Sequence, residues 1–309
     1  MRVILKLFFL AVVAAGAWFA WELLVPIAPK QPTNLLLQPG WSSRHIAQAL
    51  QEAGAVRNAR VFLVYHYVSG RTLKAGEYRF DGAATTIDVH KRIVRGDVLV
   101  HTVVVPEGFN LYDIAAAMEQ AGLTKRQDFI RAAQGNVVLV KDLDPAAQSL
   151  EGYLFPDTYT FTRTQSVGDM IAVMVHRFRQ EYERIRLGSP CSGVPYGMAA
   201  QGVAGPPACD THLVVTMASI VEKETAVAQE RPEVASVYYN RLEKHMPLAA
   251  DPSVIYAALL EGRYTGVIHQ SDLQADSPYN TYRHAGLPPG PIANPGRASL
   301  EAALKPAQT

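Results

Sequence analysis

The pattern of apolar and polar positions changes most sharply at the N-terminus. From Val3 to Ile27 almost every residue is apolar. A helix of about twenty residues spans the hydrocarbon core of a bilayer, so this stretch predicts a transmembrane helix over residues 7–27. Because Arg2 and Lys6 precede it, the positive-inside rule predicts that residues 1–6 are cytoplasmic and that the remaining chain lies across the membrane.

A cleaved signal peptide is the alternative for this segment, because small residues are frequent in AVVAAGAWFA (11–20). Bulky side chains nevertheless follow where a cleavage site would fall, namely Trp18, Phe19 and Trp21. We therefore interpret the segment as an anchor. Either interpretation exports the rest of the chain.

The next part, residues 28–100, has the pattern of a linker followed by a small α/β module. The linker is the Pro-rich string PIAPKQPT (26–33). Ser and Thr pairs stand where helix N-caps are expected. The predicted elements are a strand at Leu35–Leu37, a helix capped by Ser42–Ser43, a helix over Ala59–Val68, an extended Glu77–Phe80 and a helix opened by Thr85–Thr86. This order resembles the LysM-like module of some cell-wall enzymes.

A strand over Val98–Val105 leads into a larger α/β region, residues 101–309, which we expect to be the catalytic domain. The stretch after Arg263 is rich in Pro, Gly, Asn and Tyr and predicts an ordered loop. Together the segments predict an α+β fold. The predicted helices of the larger region are Leu111–Ala121, Lys125–Ala133, Ser166–Arg186, Thr211–Ala228, Pro232–His245 and Pro252–Leu260.

The net charge and the absence of several known motifs restrict the chemistry that this chain can perform. A net charge of +1 over 309 residues excludes a nucleic-acid binder that works through bulk electrostatics. The nine histidines are scattered, and the sequence contains no zinc-protease motif, nucleophile elbow, P-loop or dinucleotide fingerprint. We therefore expect no metal, no cofactor and no nucleic-acid partner, which leaves carboxylates as the source of chemistry.

The two cysteines, Cys191 and Cys209, flank a stretch rich in Gly, Pro and Ala. In an oxidising compartment they could close this loop as a disulfide, worth about 3 kcal/mol in the chain-entropy model. Two unrelated thiols are the alternative.

The predicted helix Thr211–Ala228 carries a carboxylate on its apolar side. At about 100° per residue, Glu224 falls in the middle of a narrow apolar stripe, whereas Glu222 lies about 160° away from it. A carboxylate in such a stripe loses solvation, which favours its protonated form and suits a general acid. The stripe consists of Leu213, Met217, Ile220 and Val227. The alternative is that the stripe ends near Ile220 and that Glu224 is exposed or pairs with Arg231 or Arg241.

Four other stretches mix aromatic side chains with Asn, Asp and Arg, a combination typical of a carbohydrate groove in which rings stack on sugars and polar groups bond hydroxyls. The alternative assigns the rings to the core and the polar residues to helix caps. The predicted substrate-binding residues are Tyr153, Asp157, Tyr239, Asn240, Asp251, Tyr279, Asn280 and Tyr282.

Several long strings occur in a fixed order: EGYLFPDTYTF (151–161), ASIVEKETAVAQERPEVASVYYNRL (218–242), ADPSVIYA (250–257) and SPYNTYRHAGLPPGPIANPGRASLEAALKPA (277–307). These strings resemble the signatures of the YceG-like (MltG) endolytic murein transglycosylases. With the anchor and the module before them, the resemblance covers nearly the whole chain.

The resemblance implies a lyase that cuts the β-1,4 bond between N-acetylmuramic acid and N-acetylglucosamine in nascent glycan strands and leaves a 1,6-anhydromuramic end. It implies that Glu224, the second Glu of E-K-E-T, is the catalytic acid, with a structural or secondary role for Glu222. It also implies an inner-membrane protein with a periplasmic catalytic domain and with penicillin-binding wall synthases as partners.

One departure from the family pattern concerns the C-terminus. Family members usually continue beyond the K-P-A motif, whereas this sequence stops at Thr309. If the additional segment completes the catalytic fold, the chain would instead be a glycan-binding scaffold of the wall-synthesis machinery. An ordinary muramidase, with Asp157 or Asp251 as second carboxylate, is the other alternative.

Overall fold

The computed structural model describes residues 2–188 and 210–308. It divides the chain into two compact units. Unit 1 comprises Met1–His101 with Thr160–Gln165, and unit 2 comprises Thr102–Tyr159 with Ser166–Thr309. Helices and strands are both present, as the α+β prediction requires. The predicted disulfide between Cys191 and Cys209 lies outside the described residues.

Unit 1 begins with helix α1, Arg2–Leu24, whose residues are almost all exposed. Among the described residues it is the one helix long and apolar enough to cross a membrane. The helix ends before the predicted boundary at residue 27, because Ile27 forms a β-bridge with Ala84 instead. The apolar segment that the sequence predicts as an anchor is therefore helical over most of its predicted length.

The C-terminal end of α1 is fastened to the rest of unit 1 by side chains from outside the helix. The guanidinium of Arg57 lies 4.5 Å from the centre of the Trp21 ring. Its two terminal nitrogens donate to the backbone oxygens of Val25 and Pro26, at 2.6 and 2.8 Å. Thr86 also donates through its hydroxyl to the backbone oxygen of Glu22 at 2.9 Å. The chain leaving α1 is thus fixed by specific contacts.

The small module of unit 1 contains an antiparallel pair of strands and three helices. Ser42 caps the first of these helices by accepting a hydrogen bond from His45 N–H, as the sequence predicts. Thr85 caps the last of them within a full capping box. The core of the module is formed by apolar residues of every element, including Leu37, Leu50, Phe62, Tyr78 and Ile93. The elements are β1 Thr33–Leu37, α2 Ser43–Glu52, α3 Ala59–Ser69, β2 Gly76–Phe80 and α4 Thr86–Arg95.

Two further strands, β3 (His101–Val104) and β4 (Thr158–Phe161), form the second two-stranded sheet of the described chain. The predicted strand over Val98–Val105 is therefore shorter than expected. Val98 instead packs against Gly76, where a Cβ would lie 2.1 Å from a methyl carbon of Val98. That close contact explains why a glycine begins β2.

Unit 2 is built mainly from helices around α8. This helix is buried on all sides over most of its length and contacts α9, α10 and α12. The sequence prediction missed α11 and α12 in the loop-rich stretch after Arg263. The helices are α5 Leu111–Gln120, α6 Arg126–Gly135, α7 Val167–Gly188, α8 Thr211–Glu224, α9 Arg231–Glu243, α10 Asp251–Leu260, α11 Gln270–Leu273 and α12 Arg297–Leu304.

Candidate active site

The end of α8 places two neighbouring glutamates in opposite environments. The helix ends at Glu224 rather than at Ala228, because Thr225 has extended backbone angles. Glu224 is exposed and Val227, beyond the helix, is 47% exposed. Of the two interpretations of Glu224, the buried apolar stripe is therefore wrong, and the alternative of an exposed side chain is confirmed. Because α8 is surrounded by the core, its apolar residues form no single stripe, and solvent reaches the carboxylate where the helix stops.

Glu222, two residues before Glu224, is instead the buried carboxylate of this helix. Its Oε1 lies 2.9 Å from Nη2 of Arg231, and both side chains are less than one-tenth exposed. Its Oε2 accepts a 2.9 Å hydrogen bond from the backbone N–H of Gly296. Both oxygens are thus used to join α8 to α9 and to the start of α12. These contacts of Glu222 stabilise the fold.

Glu224 faces a pocket of about 460 Å³ beside α9. Tyr238 lies in the wall of this pocket and donates from its hydroxyl to Oε2 of Glu224 at 2.9 Å. Burial, followed by the negative charge of Glu224, raises the pKa of Tyr238 well above its usual value, so its hydroxyl stays protonated. The pocket also contains Arg241 and two more carboxylates, Glu230 and Glu233.

Asp251 and Tyr282 form a second pair in the same region. The hydroxyl of Tyr282 donates to Oδ1 of Asp251 at 2.6 Å. This hydrogen bond is the main reason that the pKa of Tyr282 is raised to about 12, and the negative charge of Glu224 contributes to the same shift. Tyr282 is therefore close enough to Glu224 to feel its charge, although neither Tyr282 nor Asp251 lines the pocket beside α9.

Asn280 supports this arrangement from inside the loop. It is fully buried, and its amide donates to the backbone oxygens of Leu273 and Ala275 at 3.1 and 2.8 Å. Its side-chain oxygen accepts from the backbone N–H of Tyr282 at 3.1 Å. Asn280 thus closes the loop that presents Tyr282.

Two of the predicted binding tyrosines use their hydroxyls inside the core. Tyr153 is fully buried and donates to Oδ2 of Asp144, the same oxygen that lies 2.7 Å from Nδ1 of His212. That contact is the main cause of the raised pKa of His212. Tyr239 is 2% exposed and donates to the backbone oxygen of Ala303 at 2.9 Å. Neither ring is available to stack on a sugar.

The remaining predicted residues lie in other surroundings. Asp157 pairs with Arg177, with Oδ2 and Nε 2.7 Å apart, and this contact lowers the pKa of the carboxyl. Asn240 is partly buried on α9, next to the core residue Tyr239. Tyr279 is partly buried, with its ring 5.1 Å from that of Tyr256.

Glu151 is a buried carboxylate that was not among the predicted site residues, although it begins the EGYLF string. It is 2% exposed and accepts hydrogen bonds from Leu111 N–H, the Tyr256 hydroxyl and the Asn294 amide, at 3.0, 2.9 and 3.1 Å. Burial raises its pKa to about 8, against the opposing effect of the hydrogen bonds from Leu111 and Tyr256. Glu151 joins the beginning of α5 and the loop before α12 to α10.

Tyr238 is the other residue that sequence reasoning missed. A helical spacing signal was available, because Val234, Tyr238 and Arg241 lie on one face of α9, three or four positions apart. The sequence does not show which of the adjacent Tyr238 and Tyr239 faces the core. Among residues 2–188 and 210–308 there is no group of three or more His, Cys, Asp or Glu that could hold a metal.

Comparisons with known proteins give one consistent result. The sequence model of the YceG-like family matches residues 35–309. The chain is 31% identical over 316 residues to the endolytic murein transglycosylase of Bacillus subtilis (strain 168), covering 96% of this chain and 83% of that protein. It is 29% identical over 340 residues to the enzyme of the same name from Streptococcus pneumoniae serotype 2, covering 98% of this chain.

The chain spans 58% of the length of the pneumococcal protein. Among solved structures, the YceG-like protein lmo1499 from Listeria monocytogenes matches with a TM-score of 0.55 and 31% identity. That match covers 91% of this chain and 92% of the Listeria chain. Sequence and fold therefore point to the same set of relatives.

Proposed function

The chain belongs to the YceG-like family, and we propose on this basis that it is an endolytic murein transglycosylase, a lyase that cleaves the glycan strands of peptidoglycan. The observation that carries the assignment of its acid is the exposed position of Glu224 at the end of α8, inside a pocket lined by polar side chains. Glu222, the other glutamate of the same string, has both oxygens engaged in buried contacts.

The proposed reaction needs only one carboxyl group. Glu224 protonates the oxygen of the β-1,4 bond between N-acetylmuramic acid and N-acetylglucosamine, and the bond from that oxygen to C1 breaks. The C6 hydroxyl of the same muramic residue attacks C1, and its proton passes to the Glu224 carboxylate. The product is a 1,6-anhydro ring, no water is consumed, and the acid is regenerated. Because the nucleophile belongs to the same sugar, its attack has a low entropic cost.

We propose that the residues around Glu224 bind the reacting sugars directly. Asp251 and Tyr282 are supported by their contact with each other and by the electrostatic influence of Glu224 on Tyr282. Asn240 and Tyr279 remain candidates because both are only partly buried. The other predicted residues act indirectly, by holding the loops and helices of the site. They are Tyr153, Asp157, Tyr239 and Asn280.

The organisation of the whole chain is part of the proposal. The membrane anchor is residues 7–27, most of which lie in helix α1, residues 1–6 are cytoplasmic and the chain after residue 27 is periplasmic. The order β1-α2-α3-β2 supports a LysM-like module, and a pocket of about 420 Å³ that includes Trp41, His66, Tyr67 and Arg71 could hold glycan. Unit 2 is the catalytic domain. Contact with penicillin-binding synthases rests on the family resemblance alone.

A hydrolase is the second candidate, because Asp251 accepts a hydrogen bond from Tyr282, which feels the charge of Glu224, and could act as the second carboxylate of an ordinary muramidase. The two reactions differ in their products. A hydrolase adds water and leaves reducing-end sugars, whereas the transglycosylase leaves anhydro ends.

The test is digestion of purified, peptide-free glycan strands by the full-length chain in detergent, with product ends identified by mass spectrometry. We expect anhydromuramic ends from the wild-type protein and a loss of about 10²–10⁴-fold in rate for Glu224→Gln, because the amide cannot deliver a proton. Glu243→Gln, an exposed position at the end of α9, is the matched control. Full activity of Glu224→Gln would reject Glu224 as the acid, and reducing ends would reject the lyase.

A further inference from the structure

Tyr238 is placed so that only its hydroxyl can act on the site. The residue is 5% exposed, and its ring lies within the wall formed by α9. Its hydroxyl reaches Oε2 of Glu224 at 2.9 Å. The adjacent Tyr239 points away from the pocket, to the backbone oxygen of Ala303. One tyrosine of the pair therefore serves the core and the other contacts the candidate acid.

The hydrogen bond distinguishes the two oxygens of Glu224. Burial and the nearby carboxylate keep the Tyr238 hydroxyl protonated, so it is available as a donor over the whole physiological range. In a carboxylic acid one oxygen carries the proton and the other is the better acceptor. A permanent donor at Oε2 therefore favours the state in which the proton is on Oε1. Within residues 2–188 and 210–308, Oε1 has no hydrogen bond, so it is available to substrate.

We propose that Tyr238 is a positioning residue that fixes the rotation of the Glu224 carboxyl and keeps its transferable proton on Oε1. This inference rests on the proposed function of Glu224 as the acid. The same contact serves the return step, because the hydroxyl can donate to Oε2 while Oε1 accepts the proton from the sugar. One carboxyl group then performs both proton transfers from a single orientation, as a mechanism without a second catalytic carboxylate requires.

The charges that face Glu224 determine how the variant should respond to pH. Tyr238, Arg241, Glu230 and Glu233 line the same pocket as Glu224. Tyr282, which donates to Asp251, also feels the charge of Glu224. Of these, Tyr238 is the one hydrogen-bond donor to the carboxyl of Glu224 among the described residues. Removing a donor makes ionisation of the carboxyl less favourable. The proton needed for catalysis is then retained to higher pH.

The experiment compares wild type, Tyr238→Phe and Tyr182→Phe as full-length proteins on peptide-free glycan strands over a range of pH. Tyr182→Phe also removes a buried hydroxyl, which donates weakly to Thr211 at 3.4 Å, at the opposite end of α8 from Glu224. For Tyr238→Phe we expect kcat to fall about 10- to 100-fold with little change in KM, because the acid is misoriented. We also expect the alkaline limb of its activity profile to move to higher pH. Tyr182→Phe should keep the wild-type profile.

The outcomes separate this inference from the function on which it rests. If Glu224→Gln is inactive and Tyr238→Phe matches wild type in kcat and in its alkaline limb, the positioning role is refuted and the function stands. A lower kcat with an unchanged alkaline limb would also refute it, since general loss of structure explains that result. If Glu224→Gln stays active, both the function of Glu224 and the role of Tyr238 are rejected.

Discussion

Replacing Glu222 by Gln tests whether the two glutamates of the E-K-E string have separate roles. The substitution keeps the shape of the side chain and removes its charge from a buried pair. Oε1 of Glu222 lies 2.9 Å from Nη2 of Arg231, and the side chains are 4% and 7% exposed. In the variant the guanidinium of Arg231 stays buried without its anion, and the Gly296 N–H competes with it for one remaining acceptor.

The size of the effect follows from these contacts. Removing one partner of a buried ion pair costs about 3–5 kcal/mol, because the other charge is left uncompensated. Glu107 is a poor substitute, since its Oε2 lies 3.6 Å from Arg231 and its side chain is 49% exposed. Such a partner recovers about 1 kcal/mol at most. We therefore expect a loss of about 3 kcal/mol in unfolding free energy, or about 6–12 °C in the midpoint for a domain of 150–250 residues.

The assay is thermal unfolding of the full-length protein in detergent, followed by two probes. The three tryptophans, Trp18, Trp21 and Trp41, all belong to unit 1, so their fluorescence reports that unit. Far-UV circular dichroism reports the helices of both units. Glu222→Gln should lower the circular-dichroism transition of unit 2 and leave the fluorescence transition unchanged. Below its midpoint the variant should still produce anhydro ends.

Glu224→Gln is the matched control, because Glu224 is exposed and its replacement leaves no buried charge. Its unfolding midpoint should stay within the wild-type range while its activity is lost. The reasoning fails if Glu222→Gln unfolds like wild type, since the buried pair would then contribute nothing. It also fails if Glu222→Gln is stable and inactive, because the chemistry would then belong to the first glutamate.

Two other changes are expected to act through stability. Burial raises the pKa of Glu151 to about 8 from an ordinary 4.5. Its contribution to the unfolding free energy is therefore full below pH 4.5 and is lost as the pH rises through about 8. Between pH 6 and 8 the unfolding free energy of wild type, measured with urea, should therefore fall by about 2 kcal/mol more than that of Glu151→Gln. Equal losses would contradict this. Arg57→Ala removes the contacts of the guanidinium with Trp21 and with the backbone oxygen of Val25. This variant should make residues 26–33 more sensitive to protease in proteoliposomes, whereas replacement of the exposed Arg60 by Ala should not. Equal cleavage of the two variants would show that the Arg57 contacts do not hold this segment.

Features that depend on a few neighbouring residues were predictable from the sequence. Ser42 and Thr85 stand before helical patterns, and both accept the expected cap hydrogen bonds in the structure. The apolar segment at the N-terminus forms α1 because length and composition alone favour a helix there. Helix α12, Arg297–Leu304, was missed because its eight residues follow a Pro- and Gly-rich loop, and its stability comes from packing on α8 rather than from its own pattern.

The candidate site was predictable only in part, because its residues meet through long-range contacts. Tyr282 lies near Glu224 because Asn280 closes the loop that carries it, and that closure uses backbone oxygens no pattern reveals. The choice between Tyr238 and Tyr239 depends on the position of α12, whose Ala303 accepts the second hydroxyl. The residue types in the motif therefore indicated which residues could belong to the site, whereas the orientation of each side chain could be known only from the fold.

The prediction of Glu224 as the acid rested on a physical reason that the structure contradicts. The stripe argument assumed an amphipathic helix, but α8 is enclosed by the core, so every direction around it is buried up to Glu222. On such a helix the exposure of a side chain does not depend on its direction. It depends on whether the residue lies before or after the point where the helix leaves the core. Two carboxylates separated by one residue can then have different roles, one in stability and the other in chemistry. The first is neutralised by Arg231, and the second meets solvent, Tyr238 and the pocket. An acid held at this boundary can exchange protons with a bound sugar, which a salt-bridged acid in the core cannot do.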